Sequence, residues 1–305
     1  MAGERALAKY VIISPVKDEG EYIETTIKSV VSQTVTPSRW IIVDDGSRDG
    51  TADIIRKYSK KIPWIDLLKI ERGAERRIGV AEVNAFIHGY SSLATIDHEF
   101  VVKLDGDLDL PVDYFERLFA EFRRDDTLGI ASGIFFEKQS KAWTLSSIPD
   151  YHAAGASKVM RVECYRQIGG FIQEPGWDTV DEIRARALGW KTRHFKDLIF
   201  YHLKPEGSAS GYDRRGRMCG AIDYRSGTGL LFFLLKAIQR MIFGEPKVVV
   251  GFWMSVGFLE ALLLRKPKLV TAEEQRLYRK LLNTRITARV RTLGSVLRRR
   301  VLALN

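Results

Sequence analysis

Ile41-Ile42-Val43-Asp44-Asp45-Gly46-Ser47-Arg48-Asp49-Gly50-Thr51, residues 41–51, holds the end of a strand, a turn and the start of a helix in one short run. Trp40 to Val43 is a short apolar run that reads as a buried strand, and a helix is expected from about Thr51 to Tyr58. Between them the strand exit carries carboxylates and glycines. A carboxylate there can accept a hydrogen bond from a purine or pyrimidine N–H, and that reading falls on Asp45. Asp49 and Thr51 read as turn and N-cap residues.

Working outward, Tyr10 to Val16 is a second buried strand, closed by Pro15 and Lys17-Asp18-Glu19. Tyr22, Ile23, Ile27, Val30 and Val31 recur at helical spacing after it. Downstream come a strand near Ile65 to Ile70, a helix from about Arg77 to Tyr90 and a strand from Phe100 to Leu104. This alternation predicts a parallel sheet with helices on both faces, whose ligands bind beyond the carboxyl ends of the strands. Residues 17–19, 44–49 and 105–107 each follow a strand, so three acidic loops are expected on one rim. Asp105 and Asp107, two apart around Gly106, can turn both carboxylates toward one hard cation. Taken alone, the same pair also describes a solvated acidic turn. Beyond it the spacing predicts a helix over 112–123, a strand over 130–136, a strand–helix pair ending at Gly169-Gly170-Phe171, and a helix over 179–188 closed by Gly189.

The 305 residues suffice for one large α/β domain with an appendage. The net charge of +10 is unevenly spread: residues 201–305 carry 20 Lys and Arg against 7 Asp and Glu, a net +13, leaving −3 for residues 1–200. Cys164 and Cys219 stand far apart without CxxC spacing, which fits a reducing compartment and suggests neither a disulfide framework nor a zinc site. No secretory signal peptide is expected from Met1 to Lys9. The absence of GxGxxG after Val16 excludes a dinucleotide-dependent dehydrogenase. Gly229 to Phe243 and Val248 to Leu264 are strongly apolar, but the first contains Lys236 and Arg240 and the second Glu260, so neither cleanly spans a bilayer. Helices lying in the membrane interface, with arginines at the headgroups, fit the charge; a helical hairpin packed on the preceding domain is the rival reading. A last helix is expected over 271–302. No aromatic–basic RNA motif or DNA-binding helix pair accompanies the charge, so nucleic acid is not an expected partner.

Three runs, VIISPVKDEGEYI at 11–23, IIVDDGSRDGT at 41–51 and VVKLDGDLDLP at 101–111, together resemble the family 2 glycosyltransferases over about residues 10–205. The resemblance implies the α/β GT-A fold, a mixed but mainly parallel sheet flanked by helices, here over 1–205. A C-terminal helical region over 206–305 would follow. It implies that Asp45 contacts the nucleobase of a nucleotide-sugar donor, that Pro15 and Glu19 lie against the nucleoside, and that Asp105 and Asp107 bind Mg²⁺ or Mn²⁺ and the donor diphosphate. His202 matches a third metal ligand of several relatives, or simply ends an edge strand. In the family an inverting base often lies in a Glu-Asp pair ahead of an arginine and a glycine-terminated helix. Counting from Arg184 and Gly189 puts it on Asp178, with Trp177 replacing the usual Glu and with Asp181 and Glu182 as rivals.

Arg214 and Arg217 lie in a Gly- and Arg-rich stretch, 205–220, that could close over the donor phosphates. The expected activity is transfer of a sugar to a glycan or lipid-linked acceptor in cell-surface polysaccharide synthesis, at the cytoplasmic face of the membrane. A sugar nucleotidyltransferase would normally show a Gly-rich basic loop where this chain has VKDEGEY. An inactive scaffold of the same fold would not need Asp45, Asp105, Asp107 and Asp178 intact.

Overall fold

Alternation of β-branched strand cores with amphipathic helices produces the elements β1 (Tyr10–Val16), α1 (Ile23–Val31), β2 (Arg39–Asp44), α2 (Thr51–Ser59), β3 (Ile65–Lys69), α3 (Ala81–Ser91) and β4 (Phe100–Leu104). They are followed by β5 (Leu108–Asp109), α4 (Tyr114–Arg124), β6 (Leu128–Gln139), β7 (Ala142–Leu145), β8 (Ser157–Arg161), α5 (Val162–Gln167), α6 (Trp177–Ala187) and β9 (Lys191–His202). Four helices follow among the described residues: α7 (Tyr212–Arg225), α8 (Leu230–Phe243), α9 (Val249–Leu263) and α10 (Ala272–Leu302). This computed structural model describes residues 8–70, 79–93, 95–139, 142–204, 211–244 and 246–302, without the side chains of 139 and 288–302.

The strands form one mixed sheet in the order β3-β2-β1-β4-β8-β6-β9-β5, with β7 added to β6. β1 is parallel to β2 and β4, β2 to β3, and β6 to β9. β8 runs antiparallel between β4 and β6, so β4 and β6 point the same way. The carboxyl ends of β1, β2, β4, β6 and β9 therefore share one rim.

One core, holding Ile12, Trp40, Val102, Phe115, Phe119, Ala131 and Phe200, packs the sheet against α1, α2 and α4. The other, holding Ile13, Val43, Phe86, Ile130, Met160 and Trp177, packs it against α3, α5 and α6. Burial of these side chains, at about 1.5–3 kcal/mol each, fixes which face every strand residue takes.

The expected helix over 77–90 begins at Ala81 in the structure; residues 71–78 lie outside the described residues. The strand expected over 130–136 runs from 128 to 139, and the last helix of this region starts at Trp177 rather than 179. β5 and β7 were not foreseen. β5 has only two residues and none of the four residues of β7 is buried, so neither carries the buried alternation that marks a strand. At Gly189 the expected cap is present: its φ is +91°, its N–H bonds the Arg186 carbonyl and Trp190 N–H bonds that of Ala185, a Schellman closure of α6.

The chain divides into two compact units, Met1–Ser208 and Ala209–Asn305. In the second, α7 and α9 meet almost backbone to backbone: a Cβ on Gly220 would lie 1.9 Å from the Met254 carbonyl oxygen. Phe233, Ala237, Met254 and Phe258 form its small core. Among the described residues, no helix is long and apolar enough to cross a membrane.

Candidate active site

The first two acidic loops are tied together by side chains that look interchangeable in the sequence. Asp44 Oδ1 accepts from Ser47 N–H at 2.9 Å, and Asp49 Oδ2 accepts from Gly20 N–H at 2.8 Å. Thr51 Oγ1 accepts from Glu19 N–H at 2.9 Å, and Asp18 Oδ1 accepts from Arg48 N–H at 2.8 Å. The helix N-cap is Gly50, at φ +88°, so neither Asp49 nor Thr51 is the cap; Asp49 instead holds Thr51 N–H from one residue further out. With Asp44 and Asp49 spent on turns, Asp45 is the carboxylate of this loop that lines the cleft. Its backbone N–H is fixed by the Val16 carbonyl at 2.9 Å.

The third loop is positioned by long-range pairing. Thr26 Oγ1 bonds both the N–H and the carbonyl of Leu108, at 2.8 and 2.9 Å. β5 then pairs antiparallel with the end of β9, Leu108 opposite His202, and Leu203 N–H bonds the Asp107 carbonyl at 2.8 Å. His202 Nε2 thereby comes to 3.2 Å from Asp107 Oδ2.

Asp105, Asp107 and His202 each offer one ligand atom, and these atoms lie within 4.8 Å of one another. Two carboxylate oxygens and an imidazole nitrogen form a donor set suited to a divalent cation such as Mn²⁺ or Mg²⁺. Gly106 serves this loop through its size. A Cβ there would sit 2.7 Å from Val16 Cγ1, and its φ is outside the left-handed region. What glycine supplies at this position is room.

Two residues of the site escaped the sequence reading. Lys103, 2% exposed, pairs with both Asp105 and Glu82, and Glu82 enters from the first turn of α3. Burial pushes the Asp105 carboxyl up to about 7, against the pull of Lys103. Burial likewise pushes Glu19 up to about 7, partly offset by Lys204 Nζ at 2.7 Å. A cleft of about 190 Å³ is lined by Pro15, Lys17, Glu19, Asp45, Glu82, Asp105 and Asp107, so all three loops open into one space.

The three candidates for a base occupy different surroundings. Asp181 is 0% exposed and accepts from Lys158 Nζ at 2.8 Å. Burial pushes its carboxyl up to about 7 despite that lysine. Glu182 is also buried, bonded by His152 Nδ1 at 2.9 Å and Ala153 N–H at 2.8 Å. Burial opposes its charge, but His152 and Lys158 outweigh that and hold the carboxyl below its ordinary value. Asp178 lies in the first turn of α6, half-buried, and its carbonyl accepts from Lys158 Nζ at 3.0 Å. Of the three, Asp178 has the side chain that solvent reaches.

Arg214 and Arg217 fall on α7 of the second unit, a helix from Tyr212 on; residues 205–210 of the expected loop lie outside the described residues. Arg217 pairs with Glu260 at 2.6 Å and lies over the Trp253 ring at 4.7 Å.

Comparison with known proteins identifies the family and the fold. The family model described as Glycosyl transferase family 2 matches residues 11–173. The succinoglycan biosynthesis protein ExoA of Rhizobium meliloti is 25% identical over 280 residues, 81% of this chain and 80% of that one. Among solved structures, the mannosyltransferase PcManGT of Pyrobaculum calidifontis, in complex with GDP-Man and Mn²⁺, superposes with a TM-score of 0.55 at 17% identity. The match covers 94% of this chain and 83% of that one. S. aureus TarS 1–349 in complex with UDP-GlcNAc gives a TM-score of 0.54 at 16% identity, over 88% of this chain and 77% of that one. Both share the fold, a mixed α/β GT-A arrangement.

Proposed function

The chain belongs to glycosyl transferase family 2, and from that premise we propose an inverting enzyme that moves a sugar from a nucleoside-diphosphate donor to a glycan or lipid-linked acceptor of a cell-surface polysaccharide. One observation carries this reading: Asp105 and Asp107, which converge with His202, line the same cleft as Asp45. Asp45 accepts from the nucleobase, and Pro15 and Glu19 flank the nucleoside. Asp105, Asp107 and His202 hold Mg²⁺ or Mn²⁺. That ion supplies positive charge to a diphosphate leaving group.

Asp178 takes the proton of the acceptor hydroxyl as that oxygen attacks the anomeric carbon. It is favoured over Asp181 and Glu182 because those two are committed to Lys158 and His152. Of the two arginines expected at the donor phosphates, Arg217 is engaged by Glu260.

The second unit binds the cytoplasmic face of the membrane. Leu231, Leu234, Leu235, Ile238 and Ile242 form an exposed apolar stripe along α8, in a region of net charge +13.

A panel of nucleoside-diphosphate sugars, screened for Mn²⁺- or Mg²⁺-dependent binding and slow hydrolysis, tests the donor chemistry. One or two donors should respond, and the Asp105→Asn/Asp107→Asn double variant should lose the response. A wild-type protein that binds no donor with either ion overturns the proposal.

A further inference from the structure

Beyond the rim that holds the donor cleft, the sheet continues as a hairpin with an apolar face. β6 and β9 end on the same rim as β1, β2 and β4, and β6 overshoots it. Ala131 pairs with Val159 and Ile130 with Met160, which sets Ser132 level with Lys158, the residue that holds the Asp178 carbonyl. Phe136 lies four residues further along, roughly 13 Å beyond that level at about 3.3 Å per residue.

Leu145, Phe136 and Tyr201 stand in one row across β7, β6 and β9, and Trp143 lies two residues from Leu145 on the same face. The rings form a connected group: Phe136 stacks on Tyr201 at 5.7 Å, and Trp143 meets Tyr201 edge-on at 5.0 Å. Trp143 and Leu145 are each 44% exposed and Tyr201 is 40% exposed, so the group presents aromatic surface to solvent instead of closing a core.

The face is also the relevant one. Ile130, in phase with Phe136 along β6, joins the core shared with Trp177 of α6, whereas Ala131 and Phe135 join the opposite core. The aromatic group therefore projects on the side of the sheet where α6 carries Asp178. A large exposed aromatic patch continuous with a catalytic rim marks a binding surface. The C–H faces of pyranose rings match exposed aromatic rings, offering apolar area while their hydroxyls stay in water.

From this placement we propose that Trp143, Tyr201 and Phe136 form an acceptor subsite that grips a sugar ring of a growing glycan some distance from the reacting hydroxyl. The proposal rests on the glycosyltransferase reading above. The spacing sets its character: a tri- or longer saccharide reaches both the base and the platform, and a monosaccharide does not. The enzyme is then an extender that prefers oligosaccharide acceptors.

The full chain labelled with 5-fluorotryptophan tests this, with the Trp143 resonance assigned from Trp143→Phe. Maltotriose, cellotriose and chitotriose serve as probes, with glucose and N-acetylglucosamine as their monosaccharide counterparts. At least one trisaccharide should shift Trp143, and Trp143→Ala/Tyr201→Ala should weaken its binding at least fivefold. Nucleoside diphosphate affinity with Mn²⁺ should stay unchanged, and Trp143→Phe should retain most of the trisaccharide binding.

Intact donor binding with no trisaccharide response, or a response equal in the double variant, overturns the subsite alone. Loss of self-association in the double variant, without change in saccharide binding, would instead assign the face to a second copy of the chain and also overturns it. Failure of the wild type to bind any nucleoside diphosphate would sink the glycosyltransferase reading beneath it.

Discussion

Replacing Lys158 by Met removes the centre of a buried charge group and tests whether that group holds α6 in place. Lys158 and Asp181 are both 0% exposed and 2.8 Å apart, with Glu182 3.5 Å from the same ammonium. Removing one partner of such a pair strands the other charge, at a cost of about 3–5 kcal/mol. For a unit of this size each kcal/mol lowers Tm by about 2–4 °C, so Lys158→Met should lower it by roughly 6–20 °C.

The double variant Lys158→Met/Asp181→Leu removes both charges and should recover at least half of the loss, because Glu182 keeps His152 and Ala153. Urea and thermal unfolding, followed by intrinsic fluorescence, measure both quantities. The double variant should still bind donor yet turn over slowly, because the Asp178 carbonyl has lost its 3.0 Å donor. A single variant within 3 °C of wild type would show that water reaches the pair, and the positioning argument would fall.

Gly106→Ala should cost about 1–3 kcal/mol by overpacking and cut donor-dependent activity, since its Cβ would meet Val16 Cγ1 at 2.7 Å. Adding Val16→Ala should restore much of both, and no rescue would mean that the loop needs glycine for another reason. Glu19 has a folded pKa of about 7, raised mainly by burial. The folded state then holds a proton that the unfolded chain has released, so this residue's contribution to stability declines as pH rises from the ordinary carboxyl value toward 7. Glu19→Gln should remove that decline and stabilise the protein above pH 7 by on the order of 1 kcal/mol after discounting for solvent contact; pH-dependent unfolding that is the same in both proteins refutes this. Vesicles containing anionic lipid should co-float with the chain, less so at high salt, and Leu234→Glu/Ile238→Glu should abolish flotation. Equal flotation of that variant would discount the α8 stripe.

The parts of the site that could be read in advance are those carried by local order. Strand exits are punctuated by Asp, Gly and Pro, and a βα alternation sends those exits to one rim, so residues 17–19, 44–49 and 105–107 are expected together; of these, Lys17, Glu19, Asp45 and 105–107 line one cleft. The approach of His202 depends on the two-residue β5, which has no periodicity of its own and exists because Leu108 meets a strand nearly a hundred residues later.

Lys103 and Lys158 read as ordinary polar interruptions of strands. Beside the nearby Asp105, Lys103 takes Glu82 from α3, and Lys158 takes Asp181 and Glu182 from α6; nothing in the local pattern announces these distant partners. Asp181 is different: a usable signal was present. Trp177, Asp181 and Ala185 recur every four residues, so Asp181 falls on the stripe that α6 buries, whereas Asp178 falls beside it. Helical phase sets Asp181 apart from Asp178, whereas Glu182, four residues on from Asp178, shares its face and is drawn inside by His152 and Ala153 instead.

Trp177, the departure from the family's usual glutamate, becomes intelligible from its neighbours. The ammonium groups of Lys103 and Lys158 each lie 5.5 Å from the centroid of its ring, which is 7% exposed and packed against Phe171. The two lysines pair in register on β4 and β8, so like charges stand on adjacent strands, in an interior where their repulsion is poorly screened. Each already has two carboxylates, Glu82 and Asp105 for one, Asp181 and Glu182 for the other.

A third carboxylate at 177 would add a negative charge to a site whose positive charge is already met, and would raise Asp105 and Asp181 further from ionisation. An indole instead offers both ammonium groups the negative face of its π-system with no net charge, a contact that strengthens when desolvated. Through Lys103, which pairs with Asp105, and Lys158, which bonds the Asp178 carbonyl, the ring is linked to both the 105–107 loop and the start of α6. Trp177→Glu should therefore disturb both at once, weakening Mn²⁺-dependent nucleotide binding as well as turnover. A merely steric role for the ring predicts that Trp177→Phe and Trp177→Leu behave alike, whereas the electrostatic role requires the phenylalanine variant to be clearly the better of the two.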